Sequence, residues 1–116
     1  MKIKILKSKI HRATVTEACL DYEGSISVDQ ALLKEAGIQE YEKVHVLNVT
    51  NGNRLETYAI TSEQTGHICI NGAAAHLVSP GDLVIIVSYG QIEIDKASAY
   101  VPKIVYVDHK NYIITK

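Results

Sequence analysis

Neither tryptophan nor phenylalanine occurs in this chain of 116 residues, and its seven aromatic residues are all tyrosines. A core drawn from such a composition must be aliphatic, which leaves the tyrosine hydroxyls for polar work. Only two prolines and two cysteines are present, and Cys19 and Cys69 stand in no metal-type spacing. Both cysteines read as small buried hydrophobes kept reduced. The five histidines, at positions 11, 45, 67, 76 and 109, are scattered without ligand spacing, so no metal is expected. No stretch approaches the roughly 20 apolar residues of a membrane-crossing helix. The opening Met1-Lys2-Ile3-Lys4 lacks the apolar run of a secretion signal. The expectation is a cytoplasmic protein without membrane attachment. An excess of one charge is also missing: a net charge of −1 gives no whole-molecule attraction to nucleic acid.

What is present is a globular composition, 47% hydrophobic and 22% charged, at a length suited to a single domain over residues 1–116. Strand signals dominate. Ile3, Ile5 and Ile10 begin one extended segment, and "ATVTEACL" (13–20) reads as a second. In "VHVLNVTNGNRLETYAI" (44–60) two strands flank Asn51-Gly52, a pair suited to the positive φ angles of a tight hairpin. "HICI" (67–70) follows, then "DLVIIVSY" (82–89), an apolar run typical of a strand buried on both faces. "KIVYVDHKNYIIT" (103–115) reads as a closing hairpin that turns between Asp108 and Asn111. Helix is scarce. Asp29 can cap a short one ending at Gly37, and residues 94–101 hold a further turn or two. Many short strands with regular turn signals predict a closed barrel or a sandwich.

Four stretches could carry chemistry. In "DYEGS" (21–25), Gly24-Ser25 is either a plain turn or a bond placed for attack by the serine hydroxyl on the glycine carbonyl, which no Cβ shields. In "KSKIHR" (7–12), Lys9 and His11 share one strand face. They can hold a carboxylate and move protons, or simply form a solvated basic strand. On "NRLETYAI" (53–60), Arg54 and Tyr58 also share a face. Arg54 can grip a carboxylate bidentately, Tyr58 can donate a proton, and Thr57 can bond a developing oxyanion. The bland alternative is a hairpin with an exposed arginine and a packed tyrosine. In "INGAAAH" (70–76), Asn71, Gly72, Ala73, Ala74 and Ala75 leave the backbone open to a small ligand, or pack as an ordinary small-residue turn.

Together, "KSKIHRATVT", "DYEGS", "NVTNGNRLETYAI" and "NGAAAH…PGDLVIIVSY", in that order from Lys7 to Tyr89, resemble the bacterial aspartate 1-decarboxylases. The resemblance implies a mainly β fold, a double-psi β-barrel with one or two short helices. It implies a homotetramer with active sites between subunits, and self-cleavage at Gly24-Ser25. Residues 1–24 would become a β chain, and residues 25–116 an α chain opened by a pyruvoyl group made from Ser25. By the same resemblance the activity is decarboxylation of L-aspartate to β-alanine and CO2 through a Schiff base, serving pantothenate and coenzyme A synthesis. The implied catalytic residues are Ser25, Gly24, Tyr58 and Thr57. Substrate would be held by Arg54, Lys9, Thr57, Asn71, Gly72, Ala73, Ala74 and Ala75, with His11 and Tyr22 lining the pocket. The competing reading is a non-cleaving barrel module that binds nucleic acid or a small anion through Lys7, Lys9 and Arg12.

Overall fold

A computed structural model describes residues 1–115. Its longest strand, β1 (Lys2–Thr14), takes the first expected extended segment and the start of the second, whose remainder forms β2 (Glu17–Cys19) after Val15 and Thr16. After the Gly24-Ser25 corner come β3 (Ile26–Asp29), the helix α1 (Gln30–Ala36), β4 (Lys43–Asn48) and β5 (Arg54–Ser62). Then follow β6 (Ile68–Asn71), a 3-10 helix (Gly72–Leu77), β7 (Leu83–Glu93) and a second 3-10 helix (Ile94–Ala99). The chain closes with β8 (Lys103–Val107) and β9 (Ile113–Ile114), the expected final hairpin.

The strands form one sheet in the order β2-β6-β3-β5-β4-β7-β1-β8-β9, with parallel pairs β1/β8, β2/β6 and β3/β5. The position of β2 makes this sheet curl. It lies six strand positions from β1, about 28 Å across a flat sheet at the usual inter-strand spacing. The two-residue link spans about 10 Å at most. The sheet therefore wraps so that Val15 N–H reaches Asp82 O and Thr16 N–H reaches Ile68 O, at 2.9 and 2.8 Å.

Inside sits an aliphatic core, with Ile10, Ile26, Val28, Ile68, Ile70 and Ile86 fully buried. The Asp29 carboxylate caps α1 by accepting the Ala31 N–H at 2.9 Å, and Gly37 ends the helix at φ 70°. In β1 the alternation buries Ser8 and Ile10 while Lys9 and His11 share the opposite, half-buried face. A bulge follows, at which Arg12 takes φ 60°.

Three expectations change in detail. The 82–89 run is buried on both faces only at its centre, at Ile86 and Val87; nearer its start Val84 is core while Leu83 and Ile85 on the other face are half-buried. The Asn51-Gly52 connection is a five-residue loop, 49–53, in which Gly52 alone has positive φ. The Asn48 side chain organises it by accepting the N–H groups of Thr50 and Asn51. Of the two cysteines only Cys69 is buried, because β2 is an edge strand that turns Ala18 to the core and leaves Cys19 outside.

Candidate active site

The corner between β2 and β3 is where sequence and backbone geometry disagree most. Ser25 is 1% exposed and has φ 99°, a region that residues with a Cβ avoid. A conformation of this kind costs about 1–3 kcal/mol and persists only when its surroundings over-determine it. Three contacts do so. The Asn71 N–H donates to Ser25 O at 2.9 Å, and Asn71 Nδ2 donates to Ser25 Oγ at 3.0 Å. Gly72, itself at φ 72°, lies flush against Gly24: a Cβ there would stand 2.9 Å from both Gly24 Cα and Gly24 N. The glycine of "NGAAAH" is thus the only residue type that lets this turn reach the Gly24-Ser25 bond.

Asn71 is itself buried and tied in two further directions. Its Nδ2 donates to Ser27 Oγ at 3.1 Å, and its Oδ1 accepts the Cys69 thiol at 3.2 Å. Burial, with Glu17 and Cys19 nearby, pushes that thiol up to about 11, so it stays protonated as a donor. Ala75 is buried behind the turn, Ala74 is half-buried and Ala73 is exposed.

The parallel pairing of β3 with β5 matches Ile26 to Ala59. Continued backwards, that register sets Ser25 level with Tyr58 and Gly24 level with Thr57. A hollow of about 300 Å³ opens here, lined by Tyr22, Glu23, Gly24, Ser25, Glu40, Tyr41, Tyr58, Ile60 and Thr61. Three lining residues, Glu40, Tyr41 and Thr61, carried no signal in the sequence. The Glu40 carboxylate accepts both the N–H and the hydroxyl of Thr61, at 2.7 and 2.5 Å. Tyr41 stands with its ring 6.4 Å from that of Tyr58. Only the folded chain reveals them, because they lie 15, 16 and 36 residues from Ser25 in sequence.

The remaining expected residues lie elsewhere on the chain. Arg54 is exposed at the far end of β5, on the same face as Tyr58 and about 13 Å away at the usual strand rise. Between them Glu56 binds Lys43 at 3.0 Å and His45 at 3.1 Å, and the Lys43 ammonium holds its carboxyl below the ordinary value. Thr57 is half-buried on the opposite face of β5. Lys9 and His11 sit where β1 meets β8, opposite Ile104 and Tyr106, and the His11 ring meets Tyr106 edge-on at 5.8 Å. None of Lys9, His11, Arg54 and Thr57 lines the Ser25 hollow.

Of the three cations in the competing basic patch, Lys7 is neutralised within the fold. Lys7 Nζ bonds Glu42 Oε2 at 2.8 Å and Gly37 O at 2.9 Å, folding its charge into the protein. Burial opposes the charged form of Glu42. The Gln39 N–H, Lys7 and Ser88 outweigh it and hold the carboxyl below its ordinary value. Among the described residues, no helix is long and apolar enough to cross a membrane.

Comparison with known proteins assigns the chain to a family. The aspartate decarboxylase family model matches residues 1–114, extending the likeness past the motif blocks at both ends. Curated proteins named aspartate 1-decarboxylase match almost end to end. That of Acetivibrio thermocellus is 58% identical over 98% of this chain and 91% of its own length. That of Syntrophotalea carbinolica is 59% identical over 100% and 89%. That of Campylobacter jejuni (strain 81116) is 57% identical over 96% and 88%. The family fold is a double-psi β-barrel, in accord with the curled sheet and its three parallel pairs. The chain belongs to the aspartate decarboxylase family and is an enzyme, a decarboxylase of the lyase class.

Proposed function

We propose that the chain cuts itself at Gly24-Ser25 and then decarboxylates L-aspartate to β-alanine and CO2. The observation that carries this reading is the buried Ser25, held at φ 99° by Asn71 with Gly72 pressed against Gly24. The substrate is taken from the relatives' name.

In the cleavage, Ser25 Oγ attacks the Gly24 carbonyl carbon. The Gly24–Ser25 C–N bond breaks, and the nitrogen takes up the hydroxyl proton, leaving an ester. Loss of the Ser25 Cα proton then expels the Gly24 carboxylate, and water releases the nitrogen as ammonia. Residues 1–24 and 25–116 result, the second opened by a pyruvoyl group. The backbone strain at Ser25 favours departure from the intact turn. Asn71 Nδ2 fixes the direction of Oγ, and Thr57, level with Gly24, is the candidate donor to the developing oxyanion.

The residues fit the group they would hold: Gly72 removes the Cβ that would collide at the cut, Asn71 offers a buried amide, and Tyr58 faces the same hollow. A pyruvoyl carbonyl supplies an electron sink for the bond broken on loss of CO2. The chain's own groups do the rest. Arg54, with Lys9, grips a substrate carboxylate and fixes its orientation. Tyr58 donates the proton that replaces the lost carboxyl. His11 and Tyr22 shape the pocket, and Ala73, Ala74 and Ala75 leave room for a small amino acid. No metal takes part in this decarboxylation.

Since Lys9, His11 and Arg54 stand apart from Ser25 in one chain, a second copy would bring them to it, in a homotetramer with shared sites. Exposed apolar side chains at Val101, Tyr112, Ile113 and Ile114 are in keeping with such assembly. Mixing tests this directly. Ser25→Ala and Arg54→Ala should each be inactive on aspartate, and co-refolding the two should restore part of the activity through mixed sites. Recovery of none, with assembly intact, would place each site within a single chain.

A further inference from the structure

The outward face of β2 and β6 carries a cluster with no assigned part in the decarboxylation, touching the site only where the Cys69 thiol donates to Asn71 Oδ1. These strands run parallel with Glu17 opposite Cys69. Ala18, Ile68 and Ile70 point to the core, so Glu17, His67 and Cys69 share the other side. One ligand atom from each, a carboxylate oxygen, an imidazole nitrogen and the sulfur, all lie within 4.8 Å of one another. Two are already in contact: His67 Nε2 is 2.9 Å from Glu17 Oε1. We propose that Glu17, His67 and Cys69 bind a divalent cation of the zinc class, with water completing a tetrahedron.

The donor chemistry selects that class. One sulfur, one imidazole and one carboxylate suit Zn²⁺ or Co²⁺, whereas Mg²⁺ and Ca²⁺ prefer all-oxygen shells. Zinc bonds of about 2.0–2.3 Å put tetrahedral ligand atoms about 3.3–3.8 Å apart, so side-chain rotation of about 1 Å closes the site. His67 has its outer support in place, with Nδ1 lying 2.8 Å from Ser62 Oγ. On coordination through Nε2, the Nδ1 proton donates to that hydroxyl, the arrangement that orients metal-bound imidazoles. At Cys69 a metal–sulfur bond replaces the S–H bond, and the proton passes to solvent. Linear spacing concealed the site, since Glu17 is 50 residues from His67.

Given the proposed cleavage at Gly24-Ser25, the location makes the ion a clasp. Glu17 would belong to fragment 1–24, and His67 and Cys69 to fragment 25–116, so the ion would join the two pieces.

Cobalt(II) tests the site. The full-length protein, stripped with a chelator, should bind one equivalent with a near-ultraviolet thiolate-to-cobalt band, and zinc should displace it. Cys69→Ser should abolish the band, and Cys19→Ser, which removes the exposed thiol, should keep it. Glu17→Gln alters only an exposed side chain and should raise the cobalt Kd on the order of ten-fold or more, and Ser62→Ala by ~10- to 100-fold. The same titration of Ser25→Ala, which cannot form the ester, should match wild type, separating this proposal from the cleavage. No band, or a band that follows Cys19 instead of Cys69, overturns the site. In self-cleaved protein, zinc should raise the denaturant midpoint at which residues 1–24 are released; an unchanged midpoint despite the cobalt band overturns the clasp.

Discussion

Two of the glycine-bearing turns in this chain, Asn51-Gly52 and Gly24-Ser25, carry their strain differently. At Asn51-Gly52 the positive φ of 81° falls on the glycine, nothing lies within 4 Å of where a Cβ would sit, and the loop is exposed. At Gly24-Ser25 the positive φ falls on the serine, which is buried, and the glycine beside it is pressed by a second glycine, Gly72. The first is a connection whose turn is held mainly by near neighbours, Asn48 accepting from Thr50 and Asn51 and Asn51 accepting from Asn53. The second is held away from ease by groups 46 residues distant in sequence, chiefly Asn71. Strain imposed on a residue that bears a nucleophile, beside a carbonyl without a Cβ, is what distinguishes a bond set for reaction from a bend.

The comparison breaks most visibly at Gly72. Gly72→Val combines a 2.9 Å collision with Gly24 and an unfavourable φ, so it should destabilise by roughly 2–4 kcal/mol. It should also suppress the appearance of two fragments on a denaturing gel. Asn71→Ala is the next largest. It leaves the Ser25 and Ser27 hydroxyls without their amide donor, costing about 1–3 kcal/mol in denaturant unfolding. Cleavage should slow along with it, since Oγ is no longer directed.

A third test lies outside both turns. Glu42 is held below its ordinary value of 4.5 in the folded protein. Its contribution is therefore present above that value and lost as pH falls through the lower, folded one. Lys7→Met should lower stability near neutrality by about 1–2 kcal/mol and flatten the acid limb. The gap between variant and wild type should narrow as pH falls below 4.5, as read from urea midpoints across pH. Smallest of all is Gly52→Ala, expected to cost about 1 kcal/mol and to leave the cleavage rate unchanged. Were it to slow cleavage as Gly72→Val does, the contrast between the turns would fail.

Much of the barrel was legible because its strands announce themselves locally. The β-branched alternation of 44–60, the cap at Asp29 and the stop at Gly37 depend on neighbours in sequence, and each appears where expected. The span of β1 was harder to read, since its bulge at Arg12 breaks the alternation that would have joined its halves. At the site, motif order pointed to Gly24, Ser25, Tyr58, Asn71 and Gly72, and folding brings these five together. Glu40, Tyr41 and Thr61 were hidden because only the folded chain brings them near Ser25, which no local pattern encodes. The exposure of Cys19 was hidden for a similar reason: only the sheet order reveals β2 as an edge.

The most direct measurement is the intact mass of the purified, active protein. Two species should be found in place of one, the smaller ending with a free carboxylate at Gly24. The larger should start at position 25 with an ammonia's mass missing relative to a serine terminus, and reaction with a carbonyl reagent should shift it alone. Full decarboxylase activity from a single unbroken chain with an ordinary serine at position 25 would contradict the account.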